Sequence, residues 1–217
     1  MKRVSILLAA LFALTLTVTF AAAPLYVIVE AEDFVKEEGG TVERLDGRTM
    51  ASGKKSVRNW DFPGQLLEWE VEIPKGTGLF DKNKAYEYMV VIRFNSSEDV
   101  GIDMIREMKI DGQYPGEAFK KIEFYWTGGW SKGVNNWQNL VVVGADGKPA
   151  LVMLKPGKHT VSLNNINGRV GLDSFGFLRP EIDPDVLGPA GPKVERPVPS
   201  PAPAPVPAPA ASPAPSK

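Results

Sequence analysis

Leu67-Glu68-Trp69-Glu70-Val71-Glu72-Ile73 alternates apolar and acidic residues without a break. Successive side chains of an extended chain point to opposite faces, so Leu67, Trp69, Val71 and Ile73 share one face and the three glutamates share the other. A helix would spread the same residues around its circumference. The stretch therefore decides for β structure, in a sheet with one side against a core and one against water. Pro74-Lys75-Gly76 ends it. Tyr86-Glu87-Tyr88-Met89-Val90-Val91-Ile92-Arg93-Phe94 is apolar at nearly every position and reads as a second, central strand.

Working outward, 102–110 runs into the turn dipeptide Asp111-Gly112, and 119–126 follows as a further strand. Segments 139–143 and 150–154 flank Asp146-Gly147, which predicts a hairpin between them. Lys155-Pro156-Gly157 turns the chain into the strand 159–163, and a last strand over 170–178 precedes Arg179-Pro180. Short strands at regular spacing, with little helical periodicity between them, predict an all-β antiparallel sandwich. No repeat at a solenoid period stands out.

Both ends of the 217-residue chain have a different character. Residues 1–23 combine a basic start, an uncharged Leu/Ala/Thr-rich run and Ala21-Ala22-Ala23, the pattern of a secretory signal peptide, with an uncleaved membrane anchor as the alternative because Pro24 follows. The sandwich is expected over 24–180. Residues 181–217 are expected to be a disordered tail, whose Pro/Ala tract favours extended polyproline II and acts either as a solvated end or as a stalk tethering the domain to the cell envelope.

Cysteine is absent, so an exported domain has no disulfide framework and must rely on its core, aided by a metal if one binds. The 25 basic and 26 acidic residues give a formal net charge of -1, which lacks the electrostatic footprint of a nucleic-acid or anionic-membrane binder. Neutral polymers and small molecules are the expected partners of a monomer.

The first strand of the body, Val27-Ile28-Val29-Glu30-Ala31-Glu32-Asp33-Phe34, ends in carboxylates. Strand alternation sets Glu30 and Glu32 on one face, within reach of one point. Two like charges there call for a cation, a basic side chain or water between them.

These pieces together resemble the family 6 and family 35 carbohydrate-binding modules. The likeness rests on 29–34 near the start, Leu67-Glu68-Trp69-Glu70-Val71 after Pro63-Gly64, Gly128-Gly129-Trp130 with the later Trp137, 155–163, and Gly171-Leu172-Asp173-Ser174-Phe175 at the end. It implies a jelly-roll, galactose-binding-like sandwich. It also implies a structural calcium ion held by Glu30, Glu32 and Asp173 with backbone carbonyls, chemistry that suits a hard cation of six to eight oxygen ligands. The alternative is that these carboxylates are exposed or paired with Lys or Arg.

The resemblance further implies a sugar site in the loops at one end. There an aromatic ring stacks on the C–H face of a pyranose while amides bond its hydroxyls. Trp60 and Trp130 match the positions of the two rings, and each is equally open to a reading as core. Asn136 with Asn135 supplies amides, and Tyr125 and Trp126 are further candidates. Trp69 and Trp137 read as core. Gly171 stands where many relatives carry an Asn.

For catalysis the chain offers little. His159, the single histidine, follows a Pro-Gly turn and reads as structural, and no nucleophile-elbow or phosphate-loop motif is present. Histidine-cluster zinc sites and cysteine nucleophiles are excluded by count. The expectation is an exported, non-catalytic module that binds polysaccharide or oligosaccharide. The alternatives are a calcium-braced envelope protein without a sugar site and, third, a small glycan-active hydrolase.

Overall fold

The computed structural model describes residues 24–76, 83–97 and 101–195. The expected signal peptide and the Pro/Ala tract from residue 196 onward lie outside the described residues. Twelve strands occur among the described residues: β1 (Tyr26–Glu30), β2 (Lys36–Glu38), β3 (Glu43–Asp46), β4 (Lys55–Arg58), β5 (Leu66–Ile73), β6 (Tyr86–Asn95), β7 (Met104–Ile110), β8 (Ile122–Phe124), β9 (Gln138–Val141), β10 (Leu151–Leu154), β11 (Gly157–Asn167) and β12 (Gly171–Leu178).

They form two antiparallel sheets packed as a sandwich. One runs β2-β5-β11-β7-β8. In the other, β6 pairs with β12. β12 carries β1 and β4 along its far side, and β3 follows β4. β5 buries Leu67, Trp69, Val71 and Ile73 and turns its glutamates outward, while β6 is buried at nearly every position, as a strand between two neighbours should be. The two inner faces meet in one apolar core, where the Trp69 ring from β5 meets Phe175 from β12 edge-on at 5.1 Å.

The expected hairpin around Asp146-Gly147 forms only at its tip, where Ala150 N–H donates to Val142 O and Gly144 N–H to Lys148 O. β9 and β10 do not form a paired hairpin. β9 pairs with 91–94 of β6 and β10 with 86–89, both antiparallel, so they are successive halves of one edge strand. The Asp-Gly turn only closes a small excursion, with Gly147 N–H on Gly144 O and a bridge between Val143 and Pro149. Turn chemistry is local; the open edge of β6 decided where both halves lie.

The domain boundary at 180 is also corrected. Beyond β12 the chain continues as a packed strap: Arg179 N–H reaches Leu25 O, and a short turn over Pro184–Leu187 is capped by the Asp183 carboxylate on Asp185 N–H. Leu187 is buried with Met89, Val91 and Leu178 on the outer face of the larger sheet. Gly191 then exchanges hydrogen bonds with Trp137 O and the Gln138 amide. A Pro-rich composition marks no core, but these contacts extend the folded body to at least residue 191.

Candidate functional site

Five tryptophans are present, and burial with indole hydrogen bonding sets three of them apart from the half-exposed Trp126 and Trp130. Trp60, Trp69 and Trp137 are fully buried, and each donates to a backbone carbonyl: Gln65 O at 2.9 Å, Ala31 O at 3.1 Å and Thr49 O at 2.9 Å. Buried indoles satisfied in this way are packing groups. Trp60 thus corrects the expectation of a sugar-stacking ring. The Arg106 guanidinium covers one face at 4.2 Å from the ring centroid, and no face is open to solvent. Trp130 is half-exposed, and its indole forms no hydrogen bond among the described residues.

Trp130 lines a cleft of about 180 Å³ where β4, the end of β6 and the start of β12 meet the 128–133 loop. Arg48, Arg58, Asn59, Asp61, Asn95, Lys132 and Arg169 share the wall. Two hydrogen bonds hold the Trp130 loop: Ser131 N–H donates to the Asn136 side-chain oxygen at 3.2 Å, and Asn136 N–H donates to Ser131 Oγ at 3.1 Å. Asn136 therefore braces the loop, and its side-chain amide also donates to Thr127 O. Asn135 instead ties the strap through Pro189 O. Tyr125 lies elsewhere, edge-on to Phe94 at 5.1 Å, and is not part of the cleft wall. Of the four proposed ligand-binding residues, the structure places only Trp130 in the cleft.

Thr49 N–H donates to Ser131 O, joining the Arg48 turn to the Trp130 loop. Met50, Lys54, Asn59 and Ser131, all in segments bounding the cleft, adopt left-handed φ values between 60° and 61° or, for Ser131, 51°. Non-glycine residues carry strain in that region, and such strain gathers at binding sites. Gly171 has a local reason. A Cβ there would lie 2.3 Å from Asn95 Oδ1, so glycine admits the Asn95 amide to the cleft wall. Asn95 is 2% exposed, and its side chain forms no hydrogen bond among the described residues.

The carboxylates at the β1 end are arranged differently from the expectation. Glu30 closes β1, but Glu32 sits in a 3₁₀ turn over Ala31–Asp33, so strand alternation does not relate them. Glu30 Oε1 accepts from Ser52 Oγ at 2.7 Å, and Asp173 Oδ1 accepts from Ser52 N–H at 2.9 Å. Asp173 Oδ2 accepts from Arg93 Nε at 2.8 Å, with both side chains fully buried. Burial lifts the Asp173 carboxyl to about 7 against the pull of Arg93. Glu32 is likewise raised, mainly by burial with repulsion from Glu30.

Glu30 Oε2 and Glu32 Oε2 are buried without a hydrogen-bond partner. Two orphaned carboxylate oxygens suit a hard cation, so the Glu30–Glu32 end of the expected metal set fits. Asp173 already has a donor on each oxygen. Among the described residues no group of three or more His, Cys, Asp or Glu side chains gathers at a metal-binding distance.

Sequence reading missed Arg48, Arg58, Lys132, Arg169 and Asn95 in the cleft, and Arg93 behind it. None sits in a motif.

No protein-family model and no curated protein matches the sequence. Among solved structures, a family 35 carbohydrate-binding module from Clostridium thermocellum superposes with a TM-score of 0.51 at 17% identity, covering 71% of this chain and 98% of that one. A C-terminal family 6 module of a laminarinase from Zobellia galactanivorans gives 0.49 at 15% identity over 71% and 99% of the two chains. A cycloisomaltooligosaccharide glucanotransferase from Paenibacillus sp. gives 0.49 at 20% identity. It is matched over 69% of this chain, which spans only 18% of that enzyme's length. The chain thus shares its β-sandwich fold with the family 35 carbohydrate-binding module.

Proposed function

We propose that the protein is a non-catalytic carbohydrate-binding module whose ligand occupies the cleft beside Trp130. The observation that carries this reading is Trp130 itself, an indole left half-exposed and without a hydrogen bond in a cleft that also presents the unpaired Asn95 amide. Stacking on the ring gains from the apolar C–H face of a sugar, and the amide exchanges hydrogen bonds with hydroxyls, so affinity is modest because well-hydrated hydroxyls must be stripped first. The fold supports the reading, since the same sandwich serves as a binding module elsewhere. Residues 1–23 support export, and the Pro/Ala tract supports attachment at the envelope.

Retention in affinity gels containing a panel of polysaccharides tests it. Trp130→Ala should abolish retention and leave the melting temperature within about 2 °C of the parent, as for a surface substitution. Retention unchanged by Trp130→Ala would remove the ring from the site.

Calcium belongs to the same proposal. Glu30 and Glu32 would hold it through the two orphaned oxygens, and it would supply positive charge against a buried anionic cluster that includes Asp173. Chelation should then lower the melting temperature, and Glu32→Gln should erase that sensitivity. A melting curve indifferent to chelator ends the metal reading.

A further inference from the structure

Across the whole chain basic and acidic residues nearly cancel, yet the cleft wall does not share that balance. Four cationic side chains, Arg48, Arg58, Lys132 and Arg169, line it against one carboxylate, Asp61. Arg58 is committed to Glu43, with Nε–Oε2 at 2.7 Å. Arg48 and Lys132 form no ion pair or side-chain hydrogen bond among the described residues. The Thr49–Ser131 hydrogen bond also joins the two turns that carry them, beside Trp130. Arg48 is half-buried, and burial together with the nearby Arg58 charge disfavours its cationic form. An anion in the cleft relieves that repulsion, and a planar guanidinium receives a carboxylate or sulfate through paired N–H donors.

We propose that the cleft takes an anionic saccharide, with Arg48 and Lys132 receiving a carboxylate or sulfate group while Trp130 packs against the sugar ring. This rests on the carbohydrate reading above and sharpens it to a ligand class. It also reverses the expectation, drawn from net charge, that the partner is neutral. Net charge sums over a surface, whereas a ligand meets one cleft.

The test is affinity electrophoresis of the purified full chain in gels containing polygalacturonate, dextran sulfate, neutral dextran, neutral xylan or polyglutamate. Arg48→Gln, Lys132→Gln and, as a charge-matched control on the opposite sheet, Lys158→Gln are run beside the parent, with melting temperatures to confirm folding. Retention by polygalacturonate or dextran sulfate above both neutral glycans supports the proposal, and the stronger of the two identifies carboxylate or sulfate as the anion. Arg48→Gln and Lys132→Gln should each weaken that retention on the order of tenfold, while Lys158→Gln leaves it unchanged. Stronger retention by a neutral glycan, or indifference to both cleft substitutions, overturns the anionic ligand and leaves the carbohydrate reading standing. Equal retention by polyglutamate overturns it as well, since bare charge then explains the binding. Retention by none of the glycans overturns both.

Discussion

Replacing Arg93 with Met should destabilise the protein more than any substitution in the cleft. The guanidinium is wholly buried and joins four parts of the chain to β6. It donates to Asp173 Oδ2 at 2.8 Å in β12, to Asn139 Oδ1 at 3.2 Å in β9 and Met50 O at 3.2 Å beside the cleft, and to Gly188 O at 2.8 Å and Pro189 O at 3.1 Å in the strap. Met keeps most of the volume but leaves the Asp173 charge buried without its partner. Breaking a buried pair from one side costs roughly 3–5 kcal/mol. For a domain of this size that corresponds to a fall in melting temperature of about 6–20 °C. Urea unfolding with an unchanged m-value should report the same loss. Hydrogen exchange at the Gly191 amide, bonded to Trp137 O, should quicken as the strap loosens. Arg93→Met combined with Asp173→Asn should recover part of the loss, because neither charge is then left alone. A cost below about 1 kcal/mol for Arg93→Met, or a double variant as poor as the two singles summed, refutes the account of Arg93 as the pin of the strap.

Trp60→Ala should cost about 3–5 kcal/mol as a core truncation, in contrast to Trp130→Ala; equal effects on melting would dissolve the distinction drawn from the indole hydrogen bonds. His159 gives a pH-dependent outcome. Its Nδ1 lies 2.7 Å from Asp111 Oδ2 and its Nε2 lies 2.8 Å from Lys155 O, so the protonated ring can donate to both. Burial pulls the imidazole pKa down, but Lys155 O and Asp111, with a smaller contribution from Glu72, reverse this and hold it above the ordinary 6.5. Burial also opposes the Asp111 charge, and the His159 hydrogen bond reverses that, holding the carboxyl below 3.8. The His159 contribution is complete below 6.5 and fades as pH rises through the folded value, while that of Asp111 is complete above 3.8 and fades as pH falls. Melting of the parent between pH 5 and 9 should therefore decline relative to His159→Gln once pH exceeds 6.5; parallel curves would exclude the bridge as a source of stability.

The strand pattern was legible because it is local. Alternation in β5 and near-continuous apolarity in β6 report which faces are covered, and both strands form where expected. Strands β2 and β3 escape a pattern reading because edge positions tolerate charge, and β4, between β3 and β12, because only Ser56 and Val57 of its four residues are buried. Lys36-Glu37-Glu38 and Lys55-Ser56-Val57-Arg58 are held by their neighbours rather than by an apolar pattern. The strap was missed for a related reason: its hydrogen bonds come from Arg93 and Gln138, far away in sequence.

The sequence by itself determined the all-β class, the absence of a cysteine framework and the presence of carboxylates at the end of β1, because composition and a two-residue period need no knowledge of distant neighbours. Tertiary structure alone decided which tryptophans reach solvent, which of them lines the cleft, and that Asp173 meets Arg93. It also brought Arg48, Lys132 and Arg169 to one wall. Each of these depends on groups from separate segments meeting in space, and burial, hydrogen-bond partnership and local charge exist only once the chain has closed on itself.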